Sequence, residues 1–254
     1  MKKYFLYVLL VFLFFAGKSQ AQNENALTRD EVASIKKKLV AVLDAIGQAP
    51  KGYVKEDEDF GLPTECYKNS STGLYQPVYS SARVKFGGGA GKLQKSEKEW
   101  QQDYQKKIAE AQAKGDMETM MKLVQEMQKR AGESQAKMIE ANKEPIDVTV
   151  TLNSGANQTI DPDAVVFEKA GVIALRFKQD ETQEKIRIGV YFDPATLKDT
   201  KQLSKIELMM PDIKNKTSVV NAMVEFSGPA AEVEQWVKGI ATAKILSQID
   251  ARSK

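Results

Sequence analysis

The absence of histidine is the most restrictive feature of this 254-residue chain. Ser-His-Asp and Cys-His nucleophile systems need an imidazole as general base. Zinc sites also rely largely on imidazole, and Cys66, the only cysteine, does not replace it. The composition therefore excludes the commonest hydrolase classes, and we expect no catalytic residue of these types, no metal site and no cofactor.

Two acidic clusters are the remaining candidates for acid–base chemistry. The first is Glu-Asp-Glu-Asp at residues 56–59, and the second is Asp161 with Asp163. Because glycosidases need only two carboxylates, about 5–10 Å apart, a carboxylate-dependent enzyme acting on glycans is an alternative function. Solvated turns are the favoured interpretation. The first cluster also fails the EF-hand spacing, which requires a third Asp or Asn before the glycine.

Residues 87–92, Gly-Gly-Gly-Ala-Gly-Lys, superficially resemble a phosphate-binding loop. Phe86 stands where that loop needs its first glycine, and Leu93 stands where Ser or Thr would hold magnesium. The glycine-rich stretch is therefore predicted to be a flexible joint between two parts of the chain.

Methionines recur at helical spacing in the middle of the chain. They are Met117, Met120, Met121, Met127 and Met138. Methionine fills gaps in apolar cores, offers pliable surfaces to varied partners, and binds Cu(I) through its thioether. Core packing is the favoured interpretation. Partner contact is the second, with Met117, Met120, Met121 and Met127 as the contact residues, and copper is the third.

Four aromatic residues form a second group of candidate contact residues: Tyr53, Phe60, Tyr67 and Tyr75. They lie in a segment, residues 50–91, where no hydrophobic period lasts long. A disordered linker would be poor in aromatic residues, so this segment is predicted to pack as a lid over the core. Aromatic residues are also enriched at interfaces, which keeps a binding surface open as the alternative.

A pair of polar, periodic helices over residues 92–144 is the central element that positions the methionines. Ser96 with Glu99 predicts a capping box at the first helix start. Gly115 predicts the break between the helices, and Asp116 predicts the N-cap of the second helix. Each helix has a narrow apolar seam and a wide polar face. That pattern is typical of an exposed two-helix projection or of one layer over a sheet.

Signals on either side of this pair complete the predicted fold. Thr28 and Glu31 form a capping box that starts an N-terminal helix, which Gly47 ends. After Pro145 the hydrophobic period becomes two, which predicts about six strands ending near Phe226, and a last helix follows Pro229. A further short strand is predicted near residues 79–86. The fold class is α+β, with an antiparallel sheet in the C-terminal half covered by the C-terminal helix.

The first 21 residues have the pattern of a secretory signal peptide. A basic start at Lys2 and Lys3 precedes an apolar run that is too short to span a bilayer. Removal of residues 1–21 takes away three lysines and no acid, leaving 34 basic and 34 acidic residues. A formally neutral mature protein has no general attraction for phosphate backbones, so we expect an exported protein, periplasmic or secreted, without nucleic-acid partners.

The predicted organisation has four parts: a signal peptide (1–21), an N-terminal helix with the aromatic segment (22–91), the helical pair (92–144) and a β region with a C-terminal helix (145–254). We expect a non-enzymatic protein that binds another protein or an envelope component through the helical pair. The alternatives are the glycan-active enzyme and a small-ligand carrier with a pocket between sheet and helices. Cys66 is predicted to be a buried thiol, with pairing between chains as the alternative.

The signal-peptide hypothesis predicts a defined mature end. Expression of the full chain in a bacterium with a Sec pathway should yield a product that starts at Gln22, because cleavage follows small residues such as Ala21. Intact-mass measurement and N-terminal sequencing check this. A product that retains Met1 and stays with the membrane would contradict it.

Overall fold

The computed structural model describes residues 24–177 and 185–250. The signal peptide that the sequence predicts therefore lies outside the described residues. Five α-helices are present in the described ranges: α1 (Arg29–Ala45), α2 (Ala90–Ala113), α3 (Met117–Ala141), α4 (Ala230–Lys238) and α5 (Thr242–Leu246). The strands are β1 (Val54–Gly61), β2 (Ser80–Gly87), β3 (Ile146–Leu152), β4 (Asn157–Thr159), β5 (Val165–Lys169), β6 (Val172–Arg176), β7 (Lys185–Phe192), β8 (Lys205–Glu207) and β9 (Ala222–Pro229).

Seven of the strands form one antiparallel sheet in the order β1-β2-β3-β9-β7-β6-β5. The α+β class is confirmed, with one correction to the extent of the sheet. Five of its strands lie in the C-terminal half, whereas β1 and β2 precede the helical pair. The strand predicted at residues 206–210 is β8, which pairs with β4 in a separate two-stranded ribbon.

Strand β1 is one of two strands that the sequence did not predict; the other is the short β4. Strand β1 holds the acidic run 56–59, and it forms an edge of the sheet with nearly all of its residues exposed. Its register places Asp57 opposite Lys85 and Asp59 opposite Arg83, with an irregularity between Lys55 and Asp57. Opposite charges on paired strands stabilise their pairing. Charges and a bulge on an edge strand also discourage further strand addition.

The main core lies between one face of the sheet and the helices α1, α4 and α5. Trp236 on α4 is buried here, and its indole nitrogen donates a hydrogen bond of 2.8 Å to the carbonyl of Ile46. The ring packs edge-on against Phe86 and Phe226, with centroids 5.0 and 5.4 Å away. One side chain therefore joins two helices to two strands, and the predicted cover of the sheet by the C-terminal helix is confirmed.

The capping signals explain where the helices begin and end. Thr28 and Glu31 form the predicted reciprocal capping box of α1, and Gly47 follows that helix with a positive φ of 82°. The predicted break in the last helix is confirmed near Gly239, between α4 and α5. The predicted start at Ser96 is wrong: α2 begins at Ala90, so the glycine-rich stretch is divided between β2 and α2.

The opposite face of the sheet divides into an apolar half and a charged half. The apolar half is a second core of Ile173, Leu175, Tyr191, Leu197, Ile206 and Leu208. Since Ile206 lies on β8, the β4–β8 ribbon helps to cover this core. The charged half carries the ion pairs Arg83–Asp147 (3.2 Å) and Arg187–Glu225 (3.6 Å).

Burial of Tyr191 in the second core predicts alkaline sensitivity. Burial, with a smaller contribution from Glu225, raises the pKa of Tyr191 to about 12 from an ordinary value of 10.0. Below pH 10 both folded and unfolded chains keep this proton. Between about pH 10 and 12 only the folded chain keeps it, so its contribution to stability, roughly 2–3 kcal/mol, is lost as the pH rises.

A comparison of the wild-type protein with Tyr191→Phe isolates this effect. Urea unfolding at a series of pH values should show a smaller fall in the free energy of unfolding for Tyr191→Phe between pH 10 and 12. Parallel losses in the two proteins would contradict a buried, protonated phenol.

Candidate functional site

The helices α2 and α3 form a hairpin (residues 90–141) inserted between two neighbouring strands. β2 and β3 pair as far as Phe86 opposite Ile146, so the hairpin leaves and re-enters the sheet at the same place. At this base, Gly88 lies against the backbone of Ala141. With 24 and 25 residues, the helices are each about 36–38 Å long.

Each helix of the hairpin packs on the other along a single line of partly buried residues. On α2 this line is Leu93, Glu97, Trp100, Tyr104, Ile108 and Ala111; on α3 it is Met120, Leu123, Val124, Met127, Arg130, Ser134, Met138 and Ala141. Among the side chains described there, only Ala111 and Ala141 are fully buried. The hairpin is therefore the exposed two-helix projection, and not a layer over the sheet.

Polar and aromatic contacts supplement this thin apolar seam. The Arg130 guanidinium lies 4.3 Å from the Trp100 ring centroid and pairs with Glu97 at 3.4 Å. The Tyr104 hydroxyl donates a 2.8 Å hydrogen bond to Glu126, which raises the pKa of Tyr104. These cross-helix contacts fix the two helices to each other. Glu126 and Arg130 lie four positions apart on α3, and neither their types nor this spacing gave a sign of these partners across the hairpin.

The outer faces of the hairpin carry charge pairs along each helix. Lys107 lies 2.7 Å from Asp103, and Lys122 lies 2.7 Å from Glu118. Both pairs have i, i+4 spacing, and each contributes about 0.2–0.5 kcal/mol in an isolated helix.

The tip of the hairpin carries exposed methionines. Gly115 takes a positive φ of 68°, and the Asp116 side chain accepts hydrogen bonds from Thr119, which confirms the predicted break and cap. Met117 and Met121, the tip methionines, are 61% and 59% exposed and lie one turn apart. Met120 and Met127, in contrast, lie in the seam. The four methionines therefore divide between partner-accessible and packing positions.

Ile139, near the base of α3, is an exposed residue that sequence analysis missed. It is 73% exposed and follows Met138 of the seam. The only feature of the sequence that indicated its exposure was its position, one residue outside the line of apolar residues on α3. It adds an apolar side chain to the solvated surface of the hairpin, at the end opposite the tip methionines.

The four candidate aromatic residues do not join the tip methionines. Tyr53 is only 8% exposed and lies under Lys143, while Phe60 on β1 packs against the main core. Tyr75 is partly buried and pairs through its backbone with Ile213. Tyr67 is exposed, and its hydroxyl donates a hydrogen bond to Glu65. The segment therefore packs against the rest of the fold, but as two strands of the main sheet and their links, and not as the predicted lid over the core. Of these four rings Tyr67 is the most accessible.

The two acidic clusters lie at opposite edges of the main sheet. Residues 56–59 are in edge strand β1, whereas Asp161 and Asp163 immediately precede the other edge strand, β5. Six strand intervals of about 4.8 Å separate the two edges, so carboxylates from the two clusters do not meet. Asp161 caps a short 3₁₀ helix by accepting a hydrogen bond from the backbone N–H of Asp163. In residues 24–177 and 185–250, no group of three Cys, Asp or Glu side chains is arranged to hold a metal ion.

Cys66 is buried, and its thiol donates a 3.5 Å hydrogen bond to the carbonyl of Gln76. Burial raises the pKa of the thiol, which lowers the thiolate fraction at neutral pH. The predicted buried thiol is confirmed.

Within the described part of the chain, no helix combines the length and the apolar character needed to cross a bilayer.

Comparisons of the chain with protein-family models, curated proteins and solved structures find no match. The hairpin must therefore be interpreted from its own geometry. Three features define it: a base held by paired strands, a self-contained seam and a tip with exposed methionines.

The surroundings of Gly88, at the base of the hairpin, and of Gly132, inside α3, predict opposite effects on stability when each is replaced by alanine. A Cβ at Gly88 would lie 2.1 Å from the Ala141 carbonyl oxygen, so Gly88→Ala must displace backbone and should cost about 1–3 kcal/mol. A Cβ at Gly132, inside α3, would meet no atom within 4 Å, so Gly132→Ala should stabilise the helix by up to about 1 kcal/mol.

Urea unfolding followed by far-UV circular dichroism measures both substitutions. The Gly88→Ala transition should move to lower urea and the Gly132→Ala transition to higher urea. Equal midpoints for wild type and Gly88→Ala would contradict the close contact at the base.

Proposed function

We propose that this is an exported, non-enzymatic protein that binds another protein or an envelope component through its hairpin. The observation that carries the proposal is the separation of the hairpin from the core. Its fully buried described residues are two alanines, whereas the helices that cover the sheet bury large side chains such as Leu39 and Trp236.

We call the rest of the described fold, which comprises the main sheet, the β4–β8 ribbon and the helices α1, α4 and α5, the body. The energetics of the hairpin support a role other than stabilising this body. Ordering its roughly 50 residues costs conformational entropy, and the contacts that offset this cost lie within the hairpin itself. The strand pairing of β2 with β3 closes the sheet below it. A projecting element that adds little to the core is suited to contact with a partner.

The tip methionines supply the chemistry for such contact. Met117 and Met121 present two flexible, polarizable side chains on one face, at the point of the hairpin farthest from the sheet. Methionine surfaces adapt to partners of different shape. The charged residues Glu118 and Lys122 flank them and would form a polar rim around an apolar contact.

Deletion of residues 90–141, which joins Gly89 to Asn142, tests the role of the hairpin. Since Gly88 and Ala141 are already in contact, the new link spans a short distance. The shortened protein should unfold cooperatively and lose the partner that the mature protein captures from its own envelope fraction. Capture of the same partner by the shortened protein would refute the proposal.

Substitution of the tip methionines tests the contact surface itself. Met117→Glu with Met121→Glu should weaken partner binding about tenfold or more, because it places charge in an apolar contact. Met209→Glu is the matched control, since Met209 is similarly exposed, at 57%, but lies on the body. Equal loss of binding in the control, or no loss at the tip, would place the contact elsewhere.

A further inference from the structure

A cleft of about 450 Å³ lies where the hairpin meets the body. The body contributes Lys51, Gly52 and Lys143 to its walls, and the hairpin contributes Leu93 and Lys137. Ligand sites in proteins commonly have volumes of about 300–1,000 Å³. The cleft is therefore large enough for a small molecule or for the head group of a larger one.

All the charged side chains among the described residues that line this cleft are lysines. Lys51 precedes β1, Lys137 lies on α3, and Lys143 lies in the link that joins α3 to β3. Two nearby acids have other partners: Glu144 pairs with Lys185 at 2.7 Å, and Glu56 accepts a hydrogen bond from the Gly89 backbone N–H at 3.2 Å. The three lysines give the lining of the cleft a positive charge, which attracts an anion.

The position of Lys143 indicates that the cleft is built and not accidental. Its ammonium donates a 3.3 Å hydrogen bond to the Lys51 carbonyl and lies 5.2 Å from the Tyr53 ring centroid. Gly52 takes a positive φ of 83°, and a Cβ there would lie 2.5 Å from the Lys143 ammonium. A glycine at position 52 thus allows both the turn and the approach of the lysine.

We propose that this cleft binds an anionic phosphoryl group, either of a free phosphate compound or of a lipid head group. Lysine ammonium groups bind phosphate as compact charges with freely oriented donors. The mature chain is formally neutral, so the attraction is local to the cleft. A bound phosphoryl group would contact Lys137 on the hairpin and Lys51 on the body, and would restrict the orientation of the hairpin.

Calorimetric titration of the mature protein with pyrophosphate tests the proposal. Saturable binding with one site per chain is expected. Lys51→Gln and Lys137→Gln should each weaken it about tenfold or more, since each removes a charge-assisted contact. Lys106→Gln and Lys129→Gln, on exposed parts of α2 and α3, are the matched controls and should leave it unchanged. Urea unfolding of each variant verifies that it is folded.

Sedimentation with vesicles separates the two sources of the phosphoryl group. Binding to phosphatidylglycerol vesicles, but not to phosphatidylcholine vesicles, with loss in Lys51→Gln and Lys137→Gln, would assign a lipid head group. Pyrophosphate binding without vesicle binding would assign a free phosphate compound. Absence of saturable pyrophosphate and vesicle binding, or equal weakening by the control substitutions, would overturn the proposal. None of these outcomes depends on whether the tip methionines bind a partner.

Discussion

The antiparallel pairing of β2 with β3 is the interaction on which the rest of the structure depends. It brings Phe86 opposite Ile146 and so places the two ends of the intervening segment side by side. A segment whose ends are fixed together can project from a sheet without opening it. The close approach of Gly88 to Ala141 then sets the direction in which both helices leave. The hairpin is consequently joined to the body by a narrow base.

The distribution of buried apolar side chains between the sheet and the hairpin follows from that arrangement. The large buried side chains lie on the two faces of the sheet, with Trp236 and Tyr191 as the main anchors of the two cores. The large side chains of the hairpin are only partly buried, and its helices are joined as much by Trp100, Arg130 and Glu97 as by aliphatic packing. Such an element opens or bends at lower cost than the sheet, which suits contact with partners better than chemistry that needs rigid side chains.

Local signals in the sequence predicted the elements that depend on local interactions. The capping box at Thr28 and the cap at Asp116 were correct because each is satisfied within one turn of helix. The start of α2 was wrong because the contact of Gly88 with Ala141, more than 50 residues away, outweighed the local pattern at Ser96. β1 has no alternating pattern, because both of its faces are solvated and its partner strand alone defines it. The eight candidate contact residues were chosen by type, and type does not show which of them the fold brings to the surface. The lysines of the cleft, one before β1 and two near the end of the hairpin, carry no shared motif.

Amide hydrogen exchange of the free protein tests the central claim most directly. If the hairpin is a projection that opens independently of the core, amides in the middle of α2 and α3 will exchange faster than those of β3, β9 and α1, and the difference will persist when global unfolding is negligible. Equal protection of the hairpin and the central strands would mean that the hairpin shares the cooperative core, and would contradict the account.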